Sequence, residues 1–372
     1  LRRENPARAV YEGPALVMKS YLALTLTDMF GDVPYFDAFQ GRSAGITKPK
    51  YDAQQDIFEA EGGILDNLRT AIELMEDYEG AQPLRGDVIY DGDLELWTRF
   101  ERLVYLKALV RLGDRRSIAD EQSTNLTSVP IMSRNDQNAT FNFTPGQPNN
   151  YPLSTARIGI FNVFLMSETA AEIFADLNDP RVGRLYRPSA STGEYTGIIN
   201  GIDAASAIVP DNFARPGTIF RENGGEFQFN YGTAWEQFFL MAEAAERGLI
   251  NADPKVPYDL GVALAFEYWG VEMPTDYLTS GPAAYDEDRG LEQIMTQKWI
   301  ANIGNAYDAW ADWRRTGFPA LKPVQASLNG GLHPVRMPYP SDEQALNFEN
   351  YQAAAAATDD NSINVPVWWD VD

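Results

Sequence analysis

The sequence has no cysteine, a single histidine and far fewer cations than anions. Without cysteine there are no disulfides, no thiol catalysis and no Cys-ligated zinc. The histidine, His333, lies in Gly331-Leu332-His333-Pro334. A Ser-His-Asp triad would have to use it, and Pro334 favours an extended loop there. One histidine also excludes a multi-histidine metal site. The best apolar runs, Ile158 to Met166 and Phe238 to Ala245, fall short of the roughly 18 residues that a membrane span needs. There are 30 Lys and Arg against 53 Asp and Glu, for a net charge of −23. Binding to nucleic-acid phosphates or to an anionic membrane needs clustered cations, so this balance argues against both. The charge reads as a solubilising surface, with steering of a cationic ligand as the alternative. Gly224-Gly225 lacks the Lys-Ser/Thr of a phosphate loop, and no dinucleotide fingerprint opens a helix.

The 372 residues suffice for a large core, and 44% of them are apolar against 22% charged, so the chain reads as globular. Helical periodicity dominates. Helices are expected at 14–30, 51–78, 93–112, 155–177, 232–248, 256–270, 287–303, 305–314 and 341–357. In the second, Ile57, Ile64, Leu65, Leu68, Ala71, Ile72 and Met75 follow the 3.6-residue period, with Gly62-Gly63 weakening its middle. Residues 114–154 and 178–231 are rich in Asn, Ser, Gly and Pro and read as long loops with short strands. The fold class is mostly α, with helices paired by tight turns in the manner of tetratricopeptide arrays. No strict 34-residue repeat is visible.

Two chemistries remain. Glycosidases need a pair of carboxyl groups in an aromatic-lined cleft. Asp91 with Asp93, or Asp286, Glu287 and Asp288, supply carboxylates, but in so acidic a chain such spacings arise by chance and read as solvated surface. No Asp-x-Asp-x-Asp-Gly loop with its later glutamate signals calcium, so no cofactor is expected and a structural calcium ion is left unsignalled. The second chemistry is stacking. Aromatics make up 12% of the chain, and many fall outside helical periodicity. Such rings either pack loops onto helices or stack on sugar rings beside a few polar groups.

The C-terminal third carries the most distinctive pattern: Gln297-Lys298-Trp299-Ile300-Ala301, then residues 309–321 (AWADWRRTGFPAL) and 334–354 (PVRMPYPSDEQALNFENYQAA). These blocks resemble the C-terminal signature of the SusD/RagB family of Bacteroidetes outer-membrane lipoproteins. Residues 26–35 (LTDMFGDVPY) resemble its turn after the first helix. Pro49-Lys50-Tyr51-Asp52, Tyr90-Asp91-Gly92-Asp93 with Trp97, Asp179-Pro180-Arg181, 242–248 (AEAAERG) and 367–370 (VWWD) are similar to further blocks in the same order.

The resemblance implies one SusD-like domain over 1–372 whose N-terminal part lies outside the chain, with the helix-pair scaffold strongest in 12–112 and 232–357. It implies a non-catalytic surface protein that captures a glycan and delivers it to a SusC-type TonB-dependent transporter. A lipid anchor at the outer membrane would precede Leu1. A helical (α/α)-barrel glycosidase and a peptide-capturing surface protein are the alternatives. The matching blocks are expected to be scaffold, including Trp97, Trp299, Trp310, Trp313, Arg314 and Arg315. Ligand contacts are expected on loops outside them: Phe39, Arg42, Arg221, Asn223, Phe227, Tyr231, Asp276, Tyr277 and Tyr285, with Phe227 also placed to begin a strand.

Overall fold

A computed structural model describes residues 6–80, 82–118, 130–155, 164–203, 205–220, 222 and 227–371. Its α-helices are α1 (Glu12–Phe30), α2 (Gly41–Ala44), α3 (Gln54–Glu59), α4 (Ile64–Glu76), α5 (Leu94–Leu112), α6 (Glu168–Asp176), α7 (Val182–Leu185), α8 (Ala234–Glu246), α9 (Lys255–Trp269), α10 (Gly290–Ala301), α11 (Ala306–Thr316), α12 (Ser341–Leu346) and α13 (Phe348–Ala356). Among the described residues four short strands, β1 (Ala139–Asn142), β2 (Tyr186–Arg187), β3 (Arg215–Pro216) and β4 (Gln228–Gly232), form two antiparallel ribbons, β1–β4 and β2–β3. This is the expected helix-rich, tetratricopeptide-like scaffold.

Several boundaries differ from the periodicity, each for a local reason. The helix expected over 51–78 is two helices. Gly62 takes φ +75°, and a Cβ on Gly63 would meet the Ala60 and Ile57 carbonyl oxygens at 2.8 Å, so the chain turns there. The helix expected from 155 begins at 168. Ser167 caps it by accepting from the Ala170 amide at 3.1 Å, and residues 164–166 are not helical; positions 156–163 lie outside the described residues. The helix expected over 341–357 breaks at Asn347, whose amide donates to the Pro49 carbonyl at 2.8 Å.

α1, α4 and α5 pack together, as do α8, α9 and α10. α5 is capped by Asp93, which accepts from the Glu95 and Leu96 amides, and it is buried on nearly every side. It joins the two groups by packing on α8, while α11 packs on α1 and α10. A third apolar cluster, with Met166, Phe174, Leu185, Phe220 and Trp269, lies under the irregular middle of the chain.

A buried charge network ties these helices. Lys107 of α5 lies 2.8 Å from Glu236 of α8 and 2.9 Å from Asp308 of α11. Arg111 reaches Asp28 and Asp312, and Lys298 and Arg315 also meet Asp312 at 2.8 Å each. Burial pushes the Asp312 carboxyl up, but Lys298, Arg111 and Arg315 outweigh it and hold it well below the ordinary range. Trp369 closes the network by donating its indole N–H to Asp28 at 2.8 Å.

Candidate functional site

α11 presents two faces at helical spacing. Asp308, Ala311, Asp312 and Arg315 point into the charge network, following the i, i+3, i+4, i+7 positions of one stripe. Ala306, Ala309, Trp310 and Trp313 follow the same spacing two positions earlier and line an open cleft of about 350 Å³. Phe174 of α6, Tyr186 of β2, Trp299 and Ile300 of α10 and Leu321 complete most of its wall. The two alanines leave room between the indoles.

The rings are held in place. The indole N–H of Trp310 donates to the Pro334 carbonyl at 3.1 Å, and the Arg314 guanidinium lies 4.2 Å from its ring centre. Arg314 is itself fixed by donating to the Val335 and Asp28 carbonyls at 2.7 and 2.6 Å. His333 meets Trp313 edge-on at 5.2 Å, which accounts for the one histidine of the chain. Burial pushes the Tyr186 hydroxyl up to about 12, so it stays protonated. Ser167 and Asn302 supply further polar groups, and none of the described lining residues is an Asp, Glu, Lys, Arg or His. The described wall offers apolar faces and a few neutral hydrogen-bonding groups.

A second cleft, of about 220 Å³ between α6 and α10, carries Glu172, Asp176, Arg289, Glu292 and Lys322. Most of these charges are paired: Arg289 bonds Glu292 at 2.9 Å, and Lys322 pairs with Glu168 and Glu172. Among the described residues no group of three acidic or histidine side chains is arranged to hold a metal ion, and no helix is long and apolar enough to cross a membrane.

The tryptophans expected to be scaffold divide. Trp97 is core, donating to Asp87 at 2.7 Å. Trp299, Trp310 and Trp313 are half-buried and, besides their packing in the scaffold, line the cleft. Arg315 forms a buried ion pair with Glu243, in keeping with a scaffold role, whereas Arg314 bonds carbonyls.

The residues expected to touch ligand are dispersed, and none of those described lines this cleft. Tyr277 is 2% exposed. Its hydroxyl donates to Asp179 at 2.8 Å and accepts from Gln297 at 3.1 Å, beside Arg181, so its ring is a core element and offers no face to a ligand. Phe227 is likewise buried, 4.3 Å from Tyr151, immediately before β4. Tyr231 is half-buried in β4 with its ring edge-on to Tyr21 and Phe229. The Tyr285 hydroxyl is taken by Glu246. Asp276 is exposed, and its backbone carbonyl closes a turn by accepting from Thr279, Ser280 and Gly281. Phe39, at φ 63°, is fully exposed, and Arg42 in α2 is exposed. Arg221 and Asn223 lie outside the described residues. The signal that could have found the cleft was the 306-309-310-313 spacing, which the family blocks had absorbed as scaffold.

Comparison with known proteins adds the following. The profile of the SusD-like family, described as starch-binding and associating with the outer membrane, matches residues 2–340. A chitin-binding protein of known structure superposes with a TM-score of 0.83 at 26% identity, over 99% of this chain and 83% of its own. A SusD homologue from Bacteroides uniformis gives 0.81 at 25% identity, over 97% and 81%. A chitin-binding SusD homologue from Flavobacterium johnsoniae gives 0.82 at 23%, over 98% and 81%, a likeness of fold. No curated protein matches the chain.

Proposed function

Because the chain belongs to the SusD-like family of starch-binding proteins that associate with the outer membrane, we propose that it captures a glycan at the cell surface on the indole-lined cleft and does not transform it. The observation that carries this reading is the face formed by Trp299, Trp310 and Trp313, backed by Phe174 and Tyr186, in a cleft whose described lining residues include no carboxylate. Sugar rings present apolar C–H faces that lie flat on indoles, while Ser167, Asn302 and Tyr186 suit their hydroxyls. Glycoside hydrolysis needs two carboxyl groups flanking the bond, and the described wall of this cleft supplies none, which supports capture over the helical glycosidase. The 26% identical relative is a chitin-binding protein, which supports a glycan over a peptide as ligand. Handover to a SusC-type TonB-dependent transporter and lipid anchoring at the outer membrane complete the proposal on the strength of the family resemblance.

The test is affinity electrophoresis and calorimetry against a glycan panel, with each indole truncated in turn. Trp299→Ala, Trp310→Ala and Trp313→Ala should each weaken binding about tenfold, the loss of roughly 1.4 kcal/mol of stacking and contact. Glycan affinity that survives all three truncations would remove the cleft from the proposal. Turnover of any glycan would end the capture reading.

A further inference from the structure

Of the 18 tyrosines in the chain, all of them described, Tyr307 alone is exposed, at 52%. Every other tyrosine is buried or half-buried. Among the described residues the Tyr307 side chain makes no hydrogen bond and no ring contact. A scaffold tyrosine contributes by burying its ring and pairing its hydroxyl, and Tyr307 does neither. Its two chain neighbours are both engaged: Ala306 lines the indole cleft, and Asp308 enters the charge network.

The position of this ring on α11 ties it to the cleft. Asn305 caps the helix by accepting from the Asp308 amide, which makes Tyr307 the second helical residue. Side chains three apart on a helix are surface neighbours, with Cβ atoms about 5–6 Å apart. Tyr307, Trp310 and Trp313 therefore form one i, i+3, i+6 row, a ridge of three aromatic side chains. At the helical rise they stand about 4.5 Å apart along the axis, comparable to the advance of one sugar ring along an extended chain. Trp310 and Trp313 are walls of the cleft and Tyr307 is not. The ridge thus starts inside the cleft and leaves it at the N-terminal end of α11. With about 350 Å³, the cleft is at the small end of enclosing sites, so it takes a short piece of a chain.

We propose that Tyr307 is an outer stacking position for a glycan chain longer than the cleft, so that the captured ligand is an extended polysaccharide running along the 307–310–313 ridge. This rests on the capture reading above and narrows its ligand to polymers. Trp310 and Trp313 meet the units inside the cleft, and Tyr307 meets the next ones as the chain passes the start of α11. The exposed ring keeps one face free for stacking, and its hydroxyl is free to bond a sugar hydroxyl. Tyr307 therefore reads chain length, whereas the indoles read the presence of a sugar.

Calorimetry with the disaccharide and the hexasaccharide of starch, cellulose, xylan, mannan and chitin sets chain length against linkage. In a series that binds, the hexasaccharide should bind about tenfold more tightly than the disaccharide. Tyr307→Ala should weaken hexasaccharide binding several-fold and leave the disaccharide at its wild-type affinity, whereas Trp310→Ala should weaken both. Tyr307→Phe keeps the ring and should retain most of the hexasaccharide affinity. The lone exposure of this tyrosine allows a second measurement on the unaltered protein. Tetranitromethane nitrates exposed tyrosines, and peptide mass spectrometry follows position 307. Saturating hexasaccharide should slow nitration of Tyr307 several-fold, and saturating disaccharide should not. Should the alanine variant fail to fold, the nitration rates decide alone. Unchanged hexasaccharide affinity in Tyr307→Ala, or an equal loss at both lengths, overturns the outer position and leaves glycan capture standing. So does nitration that the hexasaccharide fails to slow, or that the disaccharide slows equally. Failure to bind any of these sugars and every member of a wider glycan panel removes the capture reading too.

Discussion

Asp312 accepts a hydrogen bond from Arg111 Nη1 at 2.6 Å, with both side chains withdrawn from solvent. The same carboxylate faces Lys298 and Arg315. One α11 residue therefore compensates cations from α5, α10 and its own helix, and removing it leaves three cations with fewer partners in the core. Asp312→Ala should destabilise the protein by about 3–5 kcal/mol, the range for breaking a buried pair. Thermal denaturation followed by circular dichroism gives the answer, and a melting temperature within error of wild type would contradict the network's role.

The burial of Tyr277 leads to an opposite pair of expectations for stability and binding. Tyr277→Phe keeps the ring against Phe266, 5.1 Å away, and deletes the hydroxyl shared by Asp179 and Gln297. The loss should be about 1–3 kcal/mol, as for leaving buried partners unsatisfied. Glycan affinity should stay at the wild-type value. A weakened affinity at unchanged stability would return Tyr277 to the binding surface.

Trp310 should behave the other way round. Its indole is half-buried and borders the cleft, so Trp310→Ala should cost about 2 kcal/mol, less than the roughly 3–5 kcal/mol of a fully buried aromatic. The larger effect should appear in binding. Paired melting and calorimetry curves of the same preparation test this, and a loss above 4 kcal/mol would mark the residue as scaffold.

Part of the scaffold could be read from the chain because some of its helices carry their own periodic stripe. α4 shows Ile64, Leu65, Leu68, Ala71 and Met75 on one side, all buried. The breaks were less legible. Gly63 lies between α3 and α4 where a side chain would collide with the Ala60 and Ile57 carbonyls, and the 341–357 helix is cut by an Asn347 bond to Pro49, nearly 300 residues away in the chain. The site was the least legible part. Tyr277 sits in a Pro-, Thr- and Gly-rich stretch that reads as surface, yet Asp179, Arg181 and Gln297 draw it inward. The half-buried state of Trp310 and Trp313 depends on α6, β2 and α10 standing back to leave a cleft, a relation between distant segments that no local pattern encodes.

Glu101 gives a pH dependence separate from the charge network. It lies on α5, 3% exposed. Burial pushes its carboxyl up to about 8; Glu76 adds to this and Arg102 opposes it. The folded protein therefore holds a proton there that the unfolded chain, with an ordinary value near 4.3, has released at neutral pH. Stability from this group is fully present below about pH 4.3 and is lost as the pH rises through about 8. The direction is opposite to that of Asp308, Asp312 and Glu243, whose lowered values stabilise above the ordinary carboxylate range and fail in acid. Glu101→Gln keeps the shape and the neutral state while removing the titration. Urea unfolding of wild type at pH 5, 6.5 and 8 should show a steady fall in stability, at up to about 1.4 kcal/mol per pH unit. The variant should show a shallower fall and overtake wild type toward pH 8. Parallel stability profiles for the two proteins across this range would show that Glu101 does not carry a buried proton.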